Sequence, residues 1–86
     1  MKIDFQHFKT FEDISHEKSF ESDIRHDFAD LIYKNANGIM AHDLALRIYK
    51  TEGPVEISEE ESIFLNTFVE NTTPIFQDSF KANVTD

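Results

Sequence analysis

His7, His16, His26 and His42 are the side chains best suited to hold a transition metal or move protons near neutral pH. A metal site needs them to converge, and spacing along the chain is the first guide to convergence. No two are placed as in HxxxH, and no HExxH occurs. His26 and Asp30 are set so that a helix would put both on one face, and His42 directly precedes Asp43. Such two-donor fragments fall short of a structural zinc set. Surface histidines are therefore expected, with no metal and no cofactor.

The carboxylates are the second candidate. Asp23, Asp27 and Asp30 would line one helix beside an apolar stripe and form an acidic ridge, while Glu59, Glu60 and Glu61 stand in a row. The positive end of a helix dipole favours anions in a first turn, which accounts for Asp23 and the three glutamates without a function. Asp27 and Asp30 would solvate an outer face or meet a basic protein. Nucleophilic catalysis has less to work with. Ser15, Ser19, Ser22, Ser58, Ser62 and Ser79 fall mostly at capping or exposed positions, and no GxSxG is present. Both glycines, Gly38 and Gly53, read as helix stops, so no glycine-rich loop cradles a phosphate. The expectation is a protein that is not an enzyme.

The elements that would carry these residues follow from periodicity. Ile3 and Phe5 alternate with polar neighbours and predict a strand over residues 2–8, with a second extended segment within 10–20. Ile24, Phe28, Leu31 and Ile32 make one apolar stripe of a first helix, capped by Ser22 or Asp23 and stopped by Gly38 at a left-handed position. A second helix runs from about Met40 to Thr51, with Met40, Leu44 and Ile48 in a row beside Ala41, Ala45 and Leu46. Gly53-Pro54 ends it. Val55-Glu56-Ile57 is an edge strand for residues 2–8, and Ser58 with Glu61 forms a capping box. Phe64, Leu65, Phe68 and Val69 then share the face of a third helix, with Ile63 at its margin. Thr73 caps a fourth helix that has Pro74 in its first turn and frays by Asn83. The fold class is α+β: a small N-terminal β element, hairpin or short sheet, on a bundle of about four short helices within one domain of residues 1–86.

Composition limits the partners. The chain has nine Phe, no Trp and no Cys among 86 residues, and 40% of it is hydrophobic. That is a folding composition without disulfides or thiolate metal sites. The formal net charge of −9 argues against direct contact with nucleic acid, which needs cations, and against anionic membranes. Met1-Lys2-Ile3-Asp4 lacks the apolar run of a signal peptide, and no run of about 18 apolar residues is present, so a cytoplasmic location is expected.

Phe64, Phe68, Phe76 and Phe80 recur at helical spacing and are expected in a shared core. The short last helix raises the alternative that Phe76 and Phe80 face outward as a patch, rimmed by Tyr33 and Tyr49. Those residues, with Asp23, Asp27 and Asp30, are the candidate interaction surface.

Two segments carry a resemblance. Asp27-Phe28-Ala29-Asp30-Leu31-Ile32-Tyr33 leads through Asn37-Gly38-Ile39 to His42-Asp43-Leu44-Ala45-Leu46-Arg47-Ile48-Tyr49. Val55-Glu56-Ile57-Ser58-Glu59-Glu60-Glu61 follows, and Met1-Lys2-Ile3-Asp4-Phe5 opens the chain. This resembles short uncharacterised proteins encoded by prophages and mobile elements of Bacteroides-type gut bacteria. The resemblance covers most of the chain, rests on helix and cap patterns, and implies a small accessory or assembly protein. The expected function is a protein-interaction module that self-associates or binds one protein. The alternative is an acidic inhibitor or DNA mimic that blocks a basic nucleic-acid-binding partner.

Overall fold

The computed structural model describes residues 1–85 and shows an α+β fold with the element order β1, β2, β3, α1, α2, β4, α3, α4, β5. Strand β1 (Lys2–Asp4) lies between β4 (Pro54–Glu56) and β5 (Val84–Thr85), antiparallel to both. Ile3 faces Val55 and Val84 in that register. Pro54 is tolerated because β4 is an edge strand, where a missing N–H interrupts no ladder. A separate hairpin pairs β2 (Phe8–Phe11) with β3 (Ser19–Ser22).

The expected strand over residues 2–8 is broken. The Asp4 carboxylate accepts hydrogen bonds from the backbone N–H groups of Gln6 and His7, both at 3.0 Å, and turns the chain there. Phe5 and Phe8 are nevertheless both buried, one on each side of the turn. The second extended segment is present as β2 and β3.

Helices α1 (Arg25–Asn35) and α2 (Ile39–Lys50) form a hairpin through residues 36–38 and make the most extensive helix–helix contact among the described residues. Ala29, Ala41 and Ala45 are buried in this pair, and small side chains allow close approach of the helices. Several expectations change here. Leu31 and Met40 lie outside the core, while Phe28, Ile32, Leu44 and Ile48 are inside it. Ile24 is the N-cap of α1 and offers no side-chain cap; Asp23 instead accepts from the Arg25 N–H at 3.0 Å, which turns the chain into the helix. Gly38 does not end α1, whose C-cap is Ala36 in extended backbone; it opens α2 with φ of 103°, which glycine adopts without a steric penalty.

Helix α3 (Glu59–Val69) starts with the expected capping box, in which Ser58 accepts from the Glu61 N–H and Glu61 accepts from the Ser58 N–H. Helix α4 (Pro74–Ala82) starts with Thr73 as cap and Pro74 in its first turn. Its end is not frayed. Asn83 accepts from the Lys9 N–H at 3.0 Å and donates to the Lys9 carbonyl at 2.8 Å, so one amide continues the β2 hydrogen-bonding pattern. Ser79, fully buried, donates to Ile75 O and accepts from the Phe11 N–H. These bonds fix α4 on the hairpin and lead the chain into β5, a strand the periodicity does not predict.

The core lies where β1, the α1–α2 hairpin, α3 and α4 meet. Phe28 is at its centre, with Phe5 at 5.2 Å between ring centroids, Phe76 at 5.8 Å, and Phe68 and Phe80 at 6.2 Å. Phe80 is 1% exposed, which corrects its assignment to an interaction surface. The last helix hides it by lying across β2 and presenting it to Phe28 and Phe76.

Candidate functional site

Helical spacing puts His26, Asp30 and Tyr33 on one line of α1, and His42, Leu46 and Tyr49 on one line of α2. The hairpin runs these lines antiparallel. His26 at the start of α1 therefore meets Tyr49 at the end of α2, with ring centroids 4.2 Å apart and planes within 20°. Tyr33 at the end of α1 meets His42 at the start of α2 at 5.5 Å. Two histidine–tyrosine pairs thus cross the helix seam, and among the described residues the tyrosines make no pair with each other. Between the pairs lies an open notch of about 230 Å³. Ala29 and Ala45 form its floor, and Asp30 and Leu46 its middle.

The surrounding surface is more apolar than a helical exterior requires. Tyr33 is 60% exposed, Tyr49 47%, Leu46 40% and Ile39 89%. Aromatic side chains present about 150–250 Å² each, so two tyrosines near half exposure offer roughly 200 Å². The aliphatic side chains bring the strip to about 300–600 Å², the size of the largest apolar patch on a typical monomer, which is often functional. On the other side of α1 lies a shallower groove of about 620 Å³, where Asp27 and Leu31 face Phe76 and residues 71–73.

The structure therefore divides the expected surface. Tyr33, Tyr49 and Asp30 come together in the notch, and Asp27 and Phe76 share the second groove. Asp23 stands apart, bound by Arg25 at 2.7 Å. That guanidinium, and next the Arg25 backbone N–H, hold the Asp23 carboxyl well below the ordinary range, at about 2. Spacing along the sequence places His26 beside Asp30 but pairs neither His26 nor His42 with a tyrosine, and it counts Leu46 toward the interior. The shared spacing of His26-Asp30-Tyr33 and His42-Leu46-Tyr49 is the signal that could have found the pairs.

His7, His16 and Arg47 have local partners. His7 meets Asp4 at 3.1 Å and His16 meets Asp78 at 3.2 Å. Arg47 joins three elements: it contacts Glu61 of α3, donates to the Glu56 carbonyl of β4 at 3.1 Å, and stands 3.3 Å from Asp43 within α2. Glu61 thereby leaves the row of glutamates and is buried. Among the described residues no group of three or more His, Cys, Asp or Glu side chains is placed to share a metal ion, and no helix is long and apolar enough to cross a membrane. Neither a family model, nor a curated protein, nor a solved structure matches this chain.

Proposed function

We propose that this protein is a non-enzymatic interaction module that docks a partner protein on the outer face of α1 and α2. The observation that carries the reading is the exposed strip of Tyr33, Ile39, Leu46 and Tyr49 beside a formed notch. Interfaces are enriched in tyrosine at their centres, and tyrosine brings contact area with little rotamer entropy to lose. A small accessory or assembly role agrees with the resemblance to mobile-element proteins. The charge of −9 favours a basic partner.

The acidic-mimic reading draws less support. A mimic needs a row of carboxylates at phosphate-like spacing, whereas here Asp23 meets Arg25, Asp30 meets Lys34, and Asp43 and Glu61 meet Arg47.

The test compares the wild type with Leu46→Ser/Tyr49→Ser, both exposed positions. Sedimentation and quantitative affinity capture from the native cells are run in parallel. The expected result is one protein, or a second copy of the chain, held by the wild type and lost at least tenfold on the double substitution. If the wild type stays monomeric to millimolar concentration, and both proteins capture the same set in the same amounts, the reading is overturned.

A further inference from the structure

The notch has a specific chemistry. Its floor is the methyl groups of Ala29 and Ala45, its ends are the rings of Tyr33 and Tyr49, and one carboxylate, Asp30, lines it. Its 230 Å³ equals the liquid volume of roughly seven or eight waters, enough for one long side chain. His26 stacks on the Tyr49 ring without lining the notch, whereas His42, against Tyr33, is part of the notch wall. An apolar floor, tyrosine faces and an anion together suit a cation carried on an aliphatic stem.

We propose that this notch receives an arginine side chain from a basic partner protein. This deepens the docking reading and rests on it. The stem would lie on the alanine floor, and the planar guanidinium would stack against one tyrosine ring, that of Tyr33, and donate its forked N–H groups to Asp30. Arginine fits better than lysine because a planar, weakly hydrated cation stacks on rings and matches a carboxylate with two donors. The overall charge of −9 adds long-range attraction. One internal competitor is present: Lys34 reaches Asp30 at 3.5 Å, with both side chains more than half exposed. Exposed pairs of this spacing are weak, so an incoming guanidinium displaces the lysine readily.

The experiment is an NMR titration of the ¹⁵N-labelled protein with an end-capped Gly-Arg-Gly peptide, its lysine analogue and its neutral citrulline isostere. The expected shifts with the arginine peptide concentrate on Asp30, Tyr33, His42, Leu46 and Tyr49. Citrulline binds at least tenfold more weakly and lysine several-fold more weakly. Asp30→Asn and Tyr33→Leu each weaken the arginine peptide about fivefold, and Lys34→Met tightens it about twofold. Unchanged amide spectra elsewhere establish that each substituted protein folds. Equal binding of citrulline, or shifts spread over Glu59, Glu60 and the other surface acids, overturns the proposal. Failure here, with a partner still captured through Leu46 and Tyr49, removes the arginine and leaves the docking face; arginine binding without any captured partner does the reverse.

Discussion

Asp23 and Arg25 show how far a two-residue contact alters a carboxylate on a surface. Arg25 donates from its side chain to both Asp23 oxygens and from its backbone N–H to one, which lowers the Asp23 pKa to about 2. A depressed folded-state value adds stability above the unfolded value of about 3.9 and loses it as pH falls through the folded value. The contribution is thus fully present at neutral pH and disappears between roughly pH 4 and pH 2. A carbon-detected NMR titration of the Asp23 carboxyl should show a midpoint near 2 that rises toward 3.8 in Arg25→Gln. A midpoint that stays put after the substitution would assign the shift to something other than the Arg25 guanidinium. Asp13 is lowered in the same direction, first by the Ser15 hydroxyl and then by the Ser15 N–H.

Between elements, Arg47 is the principal ionic link. Its guanidinium connects α2 to β4 and α3, and its Glu61 partner is buried while also closing the capping box. Arg47→Met leaves that carboxylate without its cation. Loss of one partner from a buried pair costs about 3–5 kcal/mol, and the partial exposure of Arg47 reduces this to about 1–3 kcal/mol. The melting temperature should fall by roughly 5–20 °C for a domain of this size. Arg47→Met/Glu61→Gln, which removes the charge but keeps a cap acceptor, should recover part of the loss in a thermal scan. A double substitution as destabilising as the sum of the singles would exclude the ionic explanation. Local devices of this kind are legible in the sequence: Ser58 with Glu61, and Thr73 with Pro74, declare themselves within one helical turn. Distant pairings are not. The Asn83 amide finds Lys9, and β5 finds β1, from opposite ends of the chain, and no local pattern encodes either. The notch lies between these cases, because Tyr33, Tyr49 and Asp30 are visible singly, whereas their meeting depends on how α1 turns into α2.

The molecule as a whole is organised by phenylalanine. Phe5, Phe8, Phe28, Phe64, Phe68, Phe76 and Phe80 connect ring to ring, with Phe28 touching four of the others. Phe11 instead stacks on His16 of its own hairpin loop, and Phe20 is half exposed on β3. Phe28→Ala should cost about 3–5 kcal/mol, a large share of the roughly 5–15 kcal/mol that holds a domain together. Phe20→Ser should change stability by less than about 1 kcal/mol, both variants being read by urea titration. With the rings so enclosed, α1 and α2 are left with an exposed apolar strip, and the proposed function stands or falls on whether a partner covers it. Hydroxyl-radical footprinting of the protein in native cell extract and in pure buffer decides the matter. Tyr33, Leu46 and Tyr49 should lose most of their labelling in extract, while exposed Ile14 and Ile63 label equally in both. Equal labelling of the tyrosine strip in extract and buffer would refute docking on this face.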